Sequence, residues 1–198
     1  MLEQAPKLRN LIAPAVEHLR GMGIDLCVET ASPVPHDTVA DFAREFGVEM
    51  PAEVCELFAE SDGFDISWEN DDDWGGFTFP SLNALRHHRQ RWINGDLPSD
   101  ASEDMHAWIP FDDSGSGDLM CVDSATGSII VFNHELSCAD STYCSIYAND
   151  LFDYIQNCAR ICFYPVWIAR PEPELYAANV VVDWALMDVP DVYRISPN

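Results

Sequence analysis

The stretch IPFDDSGSGDLMCVD (109–123) places Asp112, Ser114, Ser116, Gly117 and Asp123 at the first, third, fifth, sixth and twelfth positions of an EF-hand calcium loop. Such a loop needs a helix on either side and closes on a bidentate Glu. Here WIPF and LMCVD read as strands, and the closing residue is Asp123. The nucleophile elbow G-x-S-x-G fails too, because Gly115 and Gly117 directly flank Ser116. The expectation is a glycine turn between two strands, rimmed by Asp112 and Asp113. A second cluster, FDISWENDDDWGG, sets Asp65, Glu69, Asp71, Asp72 and Asp73 around Trp68 and Trp74. Carboxylates in a polar loop lack the burial that tunes them for acid–base catalysis. Two readings stand: a solvated hairpin, or an interface in which Trp anchors and carboxylates meet basic side chains.

Metal chemistry finds no support in the spacing. His134, Cys138, Cys144, Cys158 and Cys162 include no C-x-x-C pair, and Cys158 and Cys162 fall on the apolar face of an expected helix. His87 and His88, in RHHRQRW, read as a solvated helix face. No cofactor motif is present, so neither metal, cofactor nor enzymatic activity is expected.

Charge narrows the partners. The 198 residues hold 34 Asp and Glu against 10 Lys and Arg, a formal net charge of -24. Such a surface repels phosphate backbones and anionic lipid and favours basic protein partners. No run approaches the ~20 apolar residues of a membrane helix, and no basic-then-apolar leader opens the chain. A cytoplasmic protein with reduced thiols is expected.

The elements that must position these groups follow from periodicity. Residues 2–22 carry Leu8, Leu11, Ile12, Ala15, Val16 and Leu19 at helical intervals, with Pro14 expected to kink or split the helix. SPVP (32–35) reads as a linker. Helices are expected in HDTVADFAREFG and PAEVCELFAESDG, stopped by Gly47 and Gly63, then in SLNALRHHRQRW after the cap Ser81 and in ANDLFDYIQNCARICF after Asn149 or Asp150. FDISWE, GGFTFP, WIPF, DLMCVD and SIIVFN read as strands. The order argues an α+β fold with one antiparallel-rich mixed sheet and packed helices. Three parts are expected: a helical extension and linker (1–35), a central domain (36–165) and a C-terminal extension packed on it (166–198).

Two stretches carry a resemblance. VADFAREFGVEMPAEVCELFAESDGF, with its Met50-Pro51 step and Asp62-Gly63 ending, is similar to the entry motif of the SUKH superfamily, the SMI1/KNR4-type proteins. Ile109-Pro110-Phe111, Asp112-Asp113, Gly117-Asp118 and Leu119 to Asp123 resemble its second hallmark, and SIYANDLFDYIQNC its closing helix. The resemblance spans about residues 36 to 160. It implies a non-catalytic protein-binding domain. Many bacterial members are immunity proteins that neutralise a cognate polymorphic toxin, often a nuclease and so basic, while fungal members are regulatory modules. Asp65, Trp68, Glu69, Asp71, Asp72, Asp73, Trp74, Asp112 and Asp113 are then the candidate partner-binding residues.

Overall fold

The computed structural model describes residues 7–99, 101–113, 117–134, 144–169 and 181–195. Helix α1 (Lys7–Gly21) buries Leu8, Ile12, Ala15 and Leu19. It runs through Pro14 as one helix, neither ended nor split there. Pro14 and Asn10, whose carbonyl loses its helical donor, both lie on the exposed side, where water can satisfy that oxygen. Glu60 caps the start of α1, accepting from the Lys7 and Leu8 amides at 2.6 and 3.1 Å. Strand β1 (Cys27–Thr30) follows, then the helical hairpin α2 (His36–Phe46) and α3 (Ala52–Glu60). Gly47 ends α2 at φ 62, in the left-handed region that glycine enters without steric cost. α3 ends at Glu60 with Ser61 as its cap, not at Gly63; Gly63 (φ 79) is needed for a close approach instead, since a Cβ there would lie 2.7 Å from the Phe79 carbonyl oxygen.

The strands divide into two sheets where one was expected, within the α+β class. Sheet A is antiparallel in the order β1, β2 (Phe64–Glu69), β3 (Trp74–Phe79). After α4 (Leu82–Arg91), sheet B takes the order β4 (Trp108–Asp113), β5 (Leu119–Asp123), β6 (Ile129–Phe132), β7 (Cys144–Ala148), also antiparallel. What separates them is aromatic volume. Phe111 of β4 packs against Phe77 and Phe79 of β3, with ring centroids 6.4 and 5.6 Å apart, and Tyr154 sits 5.6 Å from Phe77. β3 and β4 touch through side chains and form no hydrogen-bonded ladder.

Sheet B is buried on both faces, which explains the unbroken apolar runs in β5 and β6. One face joins the main core through Met120, Val122, Ile129 and Val131. The other closes a smaller core of Leu119, Cys121, Ile130 and Phe132 with Trp92, Met105 and Trp108. Arg89 of α4 braces that small core. It is 2% exposed and donates to the carbonyls of Trp108 and His106, so one residue of RHHRQRW is buried where a solvated helix face is expected.

Helix α5 (Leu151–Arg160) packs against α1. Its start is doubly tied: Asp150 accepts from the Asp153 amide at 2.8 Å, and Asp153 accepts from the Asn149 amide at 3.1 Å. Asp150→Ala is expected to lower the unfolding free energy by about 1 kcal/mol, read as a reduced urea midpoint. Residues 181–195 lie across this layer. Val181 bridges Ile146 of β7, the Trp184 indole donates to the Tyr147 carbonyl at 2.7 Å, and the Ile195 amide donates to the Arg160 carbonyl at 2.8 Å.

Candidate partner-binding surface

Strand alternation sorts the acidic cluster into two faces. Phe64, Ile66 and Trp68 of β2 point into the core, and Asp65, Ser67 and Glu69 point out. Across the ladder Asp65 faces Thr78 and Glu69 faces Trp74, while Glu29 of β1 faces Asp65. The outer face of sheet A therefore carries Glu29, Asp65, Glu69 and Trp74 together. Trp74 is 56% exposed.

Trp68 is a correction. It is 4% exposed, its indole donates to the Cys162 carbonyl at 2.5 Å, and its ring lies 4.9 Å from that of Tyr193. Gly75 is required beside it, because a Cβ at that position would collide with the indole. One residue from Glu69, Trp68 belongs to the opposite face, inside the core.

The hairpin tip is built by Asn70. Its amide donates to the Asp73 carbonyl at 2.9 Å, and its side-chain oxygen accepts from the amides of Asp72 and Asp73 at 2.9 and 2.7 Å. This leaves the Asp71 and Asp72 side chains exposed. Asp73 is engaged from within: buried Tyr193 donates to its Oδ2 at 3.0 Å and accepts from Asn70 Nδ2 at 3.0 Å. Tyr193 thus clamps the hairpin from far along the chain. Among the described residues none of Glu69, Asp71 and Asp72 has a cationic partner.

Asp112 reaches the same side through a β-bulge. The β4–β5 register slips between Pro110 and Asp112, so Phe111 is an extra residue and Asp112 pairs with Met120 on the main-core side. The Trp167 indole donates to Asp112 Oδ2 at 2.8 Å. Asp113 ends β4, and residues 114–116, where the glycine turn is expected, lie outside the described residues. Two concavities meet here. One of about 290 Å3 lies by Trp74, Tyr164 and Trp167; one of about 650 Å3 lies by Glu29, Asp62 and His88; Asp65, Thr78 and Asp112 line both. Asp65 keeps a fixed rotamer there by accepting from Thr78 Oγ1 at 2.5 Å.

The remaining sequence candidates serve structure. Asp123 accepts from the Ala125 amide and Thr126 hydroxyl at 2.9 and 2.7 Å, which caps a turn. Asp118 is buried and meets the His134 ring at 2.8 Å. Cys138 lies outside the described residues, and no group of three or more metal-ligating side chains occurs among those described. Nor is any helix among them long and apolar enough to cross a membrane.

Cys158, Cys162 and Tyr154 are core groups, and burial pushes all three pKa values up, that of Cys162 to about 12. A thiol held protonated is neither nucleophile nor metal ligand. Because the folded values exceed the unfolded ones, about 8.5 for a thiol and 10 for a phenol, this stability is complete below about pH 8.5 and lost as pH rises toward 12. The thermal midpoint is expected to fall steadily between pH 8.5 and 11. In the same range Cys27, which is exposed, should alkylate first, and Cys158 and Cys162 only on unfolding, as peptide mapping would show.

Among curated proteins, none matches the chain. The sequence model of the SMI1 / KNR4 family (SUKH-1) matches residues 33–157. That span begins just before α2 and ends inside α5. It takes in the α2–α3 hairpin, both sheets except β1, and the bulged β4–β5 hairpin that turns Asp112 toward Asp65. With well over half of its length covered by that match, the chain belongs to the SMI1 / KNR4 family (SUKH-1).

Proposed function

We propose that this protein works by binding, and that its partner is a cognate polymorphic toxin which it neutralises in the cytoplasm by direct contact. The observation that carries the reading is Trp74, 56% exposed on the face that also bears Glu69 and adjoins Asp71 and Asp72. A large exposed aromatic amid unpaired carboxylates suits an anchor that seats in a pocket while the acids meet Lys and Arg around it. A net charge of -24 supports a basic partner twice over, speeding encounter and excluding acidic competitors. Nuclease toxins fit best, because a channel that holds phosphate backbones must be basic. Trp68 and Asp73 are left out of the contact surface, the first buried and the second held by Tyr193.

Affinity capture from the native host, with retained proteins identified by mass spectrometry, tests the reading. Recovery of one basic toxin domain, encoded beside this chain, is the expected result. Recovery of housekeeping proteins alone would replace it with the alternative, a regulatory interaction module on the same fold.

A further inference from the structure

The outer face of sheet A has a gap in it. Strand pairing sets Glu69 opposite Trp74, Ser67 opposite Gly76 and Asp65 opposite Thr78, all on that face. The middle pair carries the least side-chain volume, so the face sinks between Trp74 and Thr78, about 13 Å apart along β3 at ~3.3 Å per residue. This is the concavity of about 290 Å3 beside Tyr164 and Trp167. It has room for roughly ten waters at ~30 Å3 each, and so for a long side chain.

The lining identifies the occupant. Trp74, Tyr164 and Trp167 supply aromatic walls, and the only charged side chains on it among the described residues are Asp65 and Asp112. Both carboxylates are held by neutral donors, Asp65 by the Thr78 hydroxyl at 2.5 Å and Asp112 by the Trp167 indole at 2.8 Å, and both keep further acceptor capacity. Neither bond cancels a charge. Glu29 lies opposite Asp65 on β1, and like charges so placed repel one another unless a cation sits with them. The adjoining concavity of about 650 Å3 repeats the sign, with Glu29, Asp62, Asp65 and Asp112 against one basic side chain, His88, among the described residues.

We propose that the smaller concavity receives an arginine side chain of the protein partner, with the guanidinium between Asp65 and Asp112 and the alkyl stem across Gly76 and Ser67. Aromatic walls joined to carboxylates select arginine over lysine, because a planar guanidinium stacks on rings and forks to carboxylates, whereas an ammonium is a compact, strongly hydrated charge. The inference rests on the binding reading above and adds to it what the partner must project.

The probe is Nα-acetylarginine amide, titrated into the isolated full chain in about 0.15 M salt, which screens attraction to the acidic surface at large. Proton–nitrogen NMR follows the indole N–H signals of Trp74 and Trp167, assigned from Trp74→Phe and Trp167→Phe. The expected result is saturable movement of both signals, with Nα-acetyllysine amide roughly tenfold weaker and the neutral isostere Nα-acetylcitrulline amide without saturation. The citrulline comparison needs no variant. Asp65→Asn combined with Asp112→Asn should abolish the response while the urea midpoint holds, since each Asn oxygen still accepts from its donor; Asp65→Asn alone should weaken it. Equal responses to arginine and citrulline, or to arginine and lysine, would overturn the proposal. So would movement of neither indole, or an undiminished response in the double variant. These outcomes are separate from those of affinity capture: a silent arginine titration removes this site alone, and recovery of no toxin removes the proposed partner alone.

Discussion

Trp68→Ala is expected to lower the unfolding free energy by about 3–5 kcal/mol, read as a large drop in the urea midpoint. The indole fills the core between sheet A and the C-terminal segment and lies tilted against the Tyr193 ring. Its donation to the Cys162 carbonyl is lost with it, leaving that buried acceptor without its partner. The chain leaves α5 through Cys162 and Phe163 at φ 51 and 56, a conformation unusual for residues with a Cβ. That exit aims the Cys162 carbonyl at Trp68 and the Phe163 carbonyl at the Gly76 amide, so two strands of sheet A are pinned by one turn. Trp68 is therefore a structural keystone of the very hairpin that carries the proposed binding residues.

The second large effect is on binding with the fold intact. Asp71→Ala, Asp72→Ala and Trp74→Ala combined are expected to weaken the captured partner by about 2–4 kcal/mol, roughly 30- to 1000-fold. Stability should change by less than about 0.5 kcal/mol for each site, because all three side chains are exposed. Asp73 is excluded from the set, since losing its bond to Tyr193 would mix a folding defect with a binding one. Calorimetry with the partner, paired with urea denaturation of each variant, separates the two. The two tryptophans of one short hairpin should thus fail in opposite ways: Trp68 by unfolding, Trp74 by release.

Much of this architecture was legible because the apolar spacing is regular. FDISWE became β2 as read, DLMCVD and SIIVFN contain the shorter strands β5 and β6, and Ser81 and Asp150 cap α4 and α5. β1 was missed because all four of its residues are exposed, so CVET shows no buried alternation to read. β7 is not among the expected strands, because its residues run straight into the cap of α5 and SIYA falls within the stretch that resembles the closing helix. The face of Trp68 was legible in principle, since FDISWE alternates, but grouping the loop by composition mixed its two sides. The clamp by Tyr193 could not have been found, as 120 residues separate it from Asp73. Glu29 joined the acidic face only once β1 was paired with β2.

The most direct test of the central claim, that this protein binds a basic protein partner through the outer face of sheet A, is site-specific photo-crosslinking in the native host. Benzoylphenylalanine would replace Trp74 in one strain and exposed Gln90 of α4 in another, with adducts identified by mass spectrometry. The account predicts an adduct with a single basic toxin domain from position 74 and none from position 90. Adducts from position 90 alone, or none from position 74 while the toxin is still neutralised, would place the binding surface elsewhere and contradict it.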